Sequence, residues 1–231
     1  MNKTLISIIR LLVVFVMPIF ITLTAARIMV ADWYPKYEYA KPDFPADSYG
    51  FTTEQRLERA LVSIHFLNDP RPAGQAIELL DALRLPGADK ALFNQYERSH
   101  MMDVKRFTDK LWLFWRISVV LVIGGLTLLL VRKRTQPDAY AAIFGGGLLT
   151  TGLLGFLVAF VLVGWRTFFI GFHELFFPPG SWTFDWSDSL IRLFPDRFWF
   201  DAGILLVGGA FAAGVLVSGS GYWLGRRARG A

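Results

Sequence analysis

The chain of 231 residues contains no cysteine and only three histidines. The absence of cysteine excludes disulfides, thiolate nucleophiles and thiolate metal sites. No segment recurs at a constant period, which argues against solenoid and other repeat architectures. The net charge of +5 is scattered and forms no basic stripe, so we expect no nucleic-acid partner.

Apolar residues dominate the sequence, with 54% hydrophobic and 16% aromatic residues. Four apolar runs approach or exceed the ~20 residues that a bilayer-spanning helix needs. They cover residues 5–30, 111–131, 139–170 and 202–224. We therefore predict an all-α integral membrane protein, with residues 1–231 forming a single membrane domain around four transmembrane helices.

The distribution of lysine and arginine predicts the orientation of these helices. One set of flanking segments carries eight basic residues and one acid, whereas the opposite loops, 31–110 and 172–201, are both net acidic. Cytoplasmic flanks are enriched in lysine and arginine. We expect a multi-pass membrane protein with both termini in the cytoplasm and both loops outside.

The first apolar run has a second interpretation, as a cleaved signal peptide. The segment TLTAAR offers a small-residue cleavage site after Ala26. Retention is the favoured interpretation, because the run is longer than the ~7 to 15 apolar residues of a signal core.

The loop over 31–110 is predicted to be a small helical extracytoplasmic domain. Thr52 and Gln55 form the pattern of a capping box at the start of one helix. A short helix is expected over 73–83, and a third helix is expected to run without a breaker into the second span. The other loop, 172–201, is rich in phenylalanine and tryptophan and reads as an interfacial loop on the outer leaflet.

Two histidines are candidates for chemistry. His100 lies on the same predicted helix face as apolar residues that must pack, and His173 lies where the third span reaches the outer boundary. The topology places both in one compartment. Tyr96, Glu97 and Asp103 are within one helical turn of His100 and can hydrogen-bond an imidazole. Each histidine also has a simpler interpretation as a packed or interfacial residue.

Arg116 and Arg166 lie inside predicted spans near their outer ends. Snorkelling of the guanidinium to the interface is one explanation. The other is a polar cavity that opens to the outer leaflet and binds phosphate, carboxylate or ester oxygens.

Several classes of catalytic site compete at these positions. Paired histidines can perform acid-base catalysis near neutral pH. A zinc site is disfavoured, because no second histidine follows His173 at helical spacing and no cysteine exists. A serine hydrolase would use Ser99 or Ser181, yet the strained Gly-x-Ser-x-Gly turn is missing.

Three segments carry a family resemblance: YGFTTEQRLERAL, ERSHMMDVKRF and GFHELFFPPGSWTFDWSDSLIRLFPDRFW. In this order around four spans they resemble the bacterial lipoprotein intramolecular transacylase family. The resemblance covers nearly the whole chain and is weakest over residues 66–92.

The resemblance implies that one acyl chain moves from the diacylglyceryl ester of a bacterial lipoprotein to the α-amino group of its N-terminal cysteine, giving the lyso form. It implies a diacylated lipoprotein and membrane lipid as partners, and His100 and His173 as catalytic residues. Replacing an ester by an amide is downhill, so we expect no cofactor and no metal. We expect Glu97 and Asp103 to orient His100, and Arg116, Arg166, Trp182 and Tyr96 to bind substrate. The oligomeric state is left open. The alternative is a non-catalytic membrane protein that binds a lipid or a partner and has structural histidines.

Overall fold

The fold is helical and contains four long helices, as seen in a computed structural model that describes residues 2–230. The long helices are α1 (Lys3–Met29), α6 (Gln95–Leu130), α7 (Gln136–Phe176) and α9 (Asp196–Gly230). Each is long and apolar enough to cross a membrane. The predicted all-α membrane class with four spanning helices is therefore confirmed.

Five shorter helices lie between them. They are α2 (Trp33–Tyr39), α3 (Thr53–Asn68), α4 (Ala73–Ala76), α5 (Glu78–Asp81) and α8 (Ser189–Leu193), with a 3₁₀ turn at Lys133–Thr135. The capping box predicted at Thr52 and Gln55 is present at the start of α3. The single short helix expected over 73–83 is instead two, because a tighter bond from the Leu80 amide to the Ile77 carbonyl interrupts the α-helical pattern.

The chain divides into two compact units. The first consists of Met1–Ala26, Leu111–Val163 and Gly203–Ala231, and the second consists of Arg27–Lys110 and Gly164–Ala202. Helix α7 departs from helical geometry at Gly164, where φ is −130° and ψ is 41°. This kink coincides with the boundary between the two units.

The first unit packs around a small apolar core and leaves many large apolar side chains exposed. Val13 and Ala210 are fully buried within that core, whereas Phe156 and Val163 are 76% and 92% exposed. Such exposure is unfavourable in water and normal against lipid.

Two glycines of the first unit allow the backbones of α7 and α9 to approach closely. A Cβ added at Gly147 would lie 2.3 Å from the Ser218 amide nitrogen, and one added at Gly221 would lie 2.4 Å from that of Phe144. Small residues at such contacts are typical of helix packing in membranes.

We predict that Gly147→Ala destabilises the protein by about 1 to 3 kcal/mol, because the added methyl group meets backbone and cannot be accommodated by a side-chain rotation. The measurement is thermal unfolding of the detergent-solubilised protein. Gly152→Ala is the matched control, since a Cβ at Gly152 meets nothing within 4 Å. Equal melting temperatures for the two variants would contradict the close approach.

Candidate active site

The second unit brings His100 and His173 together. His100 lies in the second turn of α6 and His173 in the last turn of α7. Their ring centroids are 6.3 Å apart and the ring planes differ by 26°. The two imidazoles, 73 residues apart in the chain, thus lie close to each other.

One hydrogen bond sets the tautomer of His173. Its Nδ1 lies 2.7 Å from the carbonyl oxygen of Phe169, one helical turn earlier. A carbonyl only accepts, so Nδ1 carries the proton and donates it. In the neutral ring, Nε2 therefore has a free lone pair and can accept a proton.

His100 is enclosed by aromatic rings. Only 6% of the residue is exposed, and its ring centroid lies 5.2 Å from that of Phe177 and 5.4 Å from that of Phe184. Its Nδ1 is buried and has no hydrogen-bond partner among residues 2–230. A buried nitrogen without a partner is costly, so its presence calls for an explanation, of which a catalytic role is one.

A tight turn returns the chain over His173. The Ser181 amide donates to the Pro178 carbonyl at 3.1 Å, with Pro179 and Gly180 between them. Gly180 has φ of +78°, so the turn has the proline and glycine positions of type II. Trp182 follows directly, and its ring centroid lies 4.9 Å from that of His173. The Trp182 Nε1 is buried, with no partner in the described part of the chain.

Phenylalanines form an apolar wall beside the histidines. Phe107 of α6 packs against Phe176 at 4.7 Å and Phe172 at 6.0 Å between ring centroids. Phe177 joins the same group at 5.8 Å from Phe107 and also contacts His173. The site therefore combines two imidazoles with a surface suited to a hydrocarbon chain.

Glu97 has a different role from the one expected. Its carboxylate accepts from the Asn94 amide at 2.7 Å and from the Leu190 amide at 2.6 Å, while the Asn94 side chain accepts from the Glu97 amide at 3.0 Å. Asn94 and Glu97 thus form a capping box on α6, and the second carboxylate oxygen holds the start of α8. Each oxygen accepts from a backbone amide, and no hydrogen bond joins Glu97 to His100 within residues 2–230.

Asp103 also bonds elsewhere: it accepts from the Arg106 guanidinium at 2.8 Å.

A second hydrogen bond joins the start of α6 to the start of α8, as Glu97 does: the Asn94 side-chain amide donates to Asp188 at 2.9 Å. Sequence reasoning missed Asn94 and Asp188. The Asn-x-x-Glu spacing at 94–97 is the signal that would have indicated the cap.

The remaining predicted residues are exposed. Tyr96 is 78% exposed at the start of α6, and Arg166 is exposed on α7, seven residues before His173. Arg116 is exposed in the first unit, where its predicted substrate-binding role stays a prediction. The hydroxyl of Ser181 donates to the Pro178 carbonyl at 2.8 Å. No three histidine, aspartate or glutamate side chains cluster as a metal site within residues 2–230.

Fold and site together define a class: a polytopic α-helical membrane protein with a paired-histidine site walled by aromatic residues. The sequence matches the lipoprotein intramolecular transacylase family, Lit, over residues 10–199. The chain belongs to this family, as the resemblance of its three segments indicated.

Known proteins similar to the chain include one sequence relative and three solved structures. An uncharacterized protein of Aquifex aeolicus (strain VF5) is 29% identical over 221 residues, which are 96% of each chain. The in meso structure of Lit from Bacillus cereus is 21% identical and matches with a TM-score of 0.83 over 100% of both chains. Two structures of that protein with one histidine changed, to arginine or to alanine, match with TM-scores of 0.73 and 0.74 at 22% identity, over 98% and 99% of this chain and 94% and 97% of theirs.

We predict that Glu97→Gln destabilises the protein by about 1.5 to 3 kcal/mol, because an amide NH₂ would replace an oxygen that accepts from a backbone amide. Thermal unfolding in detergent measures the change. Asp103→Asn is the control, since it weakens a partly exposed ion pair with Arg106 that is worth about 0 to 1 kcal/mol. A Glu97→Gln variant as stable as the control would rule out Glu97 as the anchor of the loop.

Proposed function

We propose that this protein transfers one acyl chain, within a single lipoprotein molecule, from the diacylglyceryl ester to the α-amino group of the N-terminal cysteine. The amine nitrogen attacks the ester carbonyl, the new C–N bond forms, and the bond from that carbonyl carbon to the glyceryl oxygen breaks. The amine proton passes to the glyceryl oxygen. The product is an N-acylated lipoprotein with one free glyceryl hydroxyl.

The observation that carries this proposal is the histidine pair within an aromatic wall. A neutral imidazole with a free Nε2 takes a proton from an α-amino group, which in a free peptide has a pKa of ~7.7 to 8.0, and returns it to the leaving oxygen. We assign this shuttle to His173, whose Nδ1 is already committed to the Phe169 carbonyl. His100, at 6.3 Å between centroids, positions the reacting groups or stabilises the oxyanion.

The reaction needs no nucleophile from the enzyme, because amine and ester belong to one substrate. Holding the two groups together supplies several kcal/mol by proximity. We place one acyl chain along Phe107, Phe172 and Phe176, and Trp182 against the reacting end. Arg166 and Tyr96 are proposed to contact the head region of the substrate.

The proposed orientation puts this site on the outer face of the cell membrane. The basic flanks of the four long helices are then cytoplasmic, as are both termini. This places the site where the ester of a membrane-anchored lipoprotein lies.

His100→Ala and His173→Ala are each expected to lower N-acylation of a co-expressed lipoprotein by about 10² to 10⁴-fold, because proton transfer loses its base or its partner. Mass spectrometry of the lipoprotein N-terminus measures the acyl state. His65→Ala is the matched control: His65 is largely exposed, bonds Asp32 at 2.9 Å and lies apart from the pair in the sequence.

The same measurement separates the competing functions. Folded, membrane-inserted variants with unchanged acyl states would contradict histidine catalysis and favour a binding protein. Release of free fatty acid without N-acylation would indicate a hydrolase instead.

A further inference from the structure

An open cleft of about 260 Å³ lies in the second unit, lined by residues that the proposed reaction does not use. Its lining comes from the segment 45–49 and from Arg56, together with Trp186, Ile191, Arg192 and Pro195. Two aromatic side chains stand at the cleft, Trp186 with 77% and Tyr49 with 53% of their surface exposed. Large exposed aromatic residues beside a cleft are typical of a binding surface.

Two of the lining residues, Asp47 and Arg192, form an ion pair. Asp47 accepts from Arg192 at 3.0 and 2.9 Å and from the Phe51 amide at 2.7 Å, and the Arg192 guanidinium lies 3.4 Å from the centroid of the Phe51 ring. Burial alone would raise the pKa of Asp47, but the hydrogen bonds from Arg192 and from the Phe51 amide lower it overall. Asp47 is therefore a carboxylate and neutralises Arg192.

Arg56 has no such partner among the described residues. It lines the cleft and only 2% of the residue is exposed, and it donates to the main-chain carbonyls of Arg192 at 2.8 Å and Pro45 at 2.6 Å. Its guanidinium also lies about 5 Å from the ring centroids of Tyr39 and Phe44. No carboxylate within residues 2–230 forms an ion pair with it. The cleft thus holds one positive charge that its lining does not neutralise, which favours an acidic ligand.

The cleft is connected to the histidine site through the chain itself. Phe184 packs on His100, and Trp186 follows two residues later, at most about 7 Å further along the backbone. Glu97 fixes the far end of the same loop at Leu190. The same loop thus contacts His100 through Phe184 and lines the cleft through Trp186.

We propose that the cleft binds the polypeptide that follows the acylated cysteine, as an extended segment with a preference for acidic side chains. This rests on the proposed function and adds a peptide-binding subsite to it. The exposed rings of Trp186 and Tyr49 pack against the peptide, and the charge of Arg56 selects carboxylates over ammonium groups.

The test compares two substrates of the purified protein in detergent: diacylglyceryl-cysteine amide and a diacylated lipopeptide with five further residues. Wild-type protein is expected to show a kcat/KM on the order of tenfold higher for the lipopeptide. This is the size of effect that one well-packed aromatic side chain contributes to binding. It is also expected to prefer aspartate over lysine in the residues after the cysteine, on the order of tenfold.

Trp186→Ala is expected to reduce the lipopeptide advantage towards one, and Trp186→Phe to restore part of it. Trp223→Ala is the control, since it removes an exposed tryptophan that does not line the cleft. Thermal unfolding checks that each variant is folded, and Tyr49→Ala tests the other exposed ring if Trp186→Ala fails to fold.

The outcomes separate the two proposals. Failure of wild-type protein to convert either substrate overturns the proposed function. Conversion of both with equal kcat/KM, or an equal loss for both in Trp186→Ala, overturns the peptide subsite and leaves the transacylase proposal standing.

Discussion

The carboxylate of Glu97 is the contact on which the site depends. One oxygen closes the N-terminal cap of α6 and the other holds the first turn of α8, 93 residues further along the chain. Glu97 is 1% exposed, so its two hydrogen bonds form away from water and are strong for that reason. The helix that carries His100 and the loop that covers it are thereby fixed to each other.

Two local contacts near the end of α7 then set the surroundings and the orientation of His173. The Pro178-Pro179-Gly180 turn ends α7 just after His173 and brings Trp182 back over the imidazole. The carbonyl of Phe169, one turn earlier in α7, accepts from Nδ1 of His173 and so orients the imidazole ring. Neither arrangement requires a long-range ion pair.

The features that follow from local pattern were predictable from the sequence. Helices α1, α6, α7 and α9 follow from apolar runs, and the α3 cap follows from Thr52 and Gln55. The family resemblance singled out both histidines. The sequence pattern did not predict the hydrogen-bond partners of the polar side chains. Glu97 was expected to orient His100, but its carboxylate accepts from the Asn94 and Leu190 amides instead. The Asn94 contact follows from the local Asn-x-x-Glu spacing, whereas the Leu190 contact depends on tertiary packing across 93 residues, which sequence spacing does not encode.

The same reasoning explains the buried charge of Arg56. From sequence alone it is one polar position on an amphipathic helix, because its acceptors are main-chain carbonyls that any residue type could provide. The positive charge of Arg56 suggests a binding role only once the cleft beside it is known. Within the described residues, the second unit therefore contains a pair of histidines, His100 and His173, that no carboxylate hydrogen-bonds. It also contains the buried guanidinium of Arg56, which forms no ion pair with a carboxylate.

The proposed acyl transfer occurs within one substrate molecule and uses no acyl-enzyme. Purified protein is given a mixture of two diacylated lipopeptides, one with deuterated acyl chains and a distinct peptide mass, and the products are resolved by mass spectrometry. We predict that every N-acylated product keeps its own isotopic chains and that the protein mass does not change. Products that combine a deuterated chain with the other peptide, or a protein heavier by one acyl group, would contradict it.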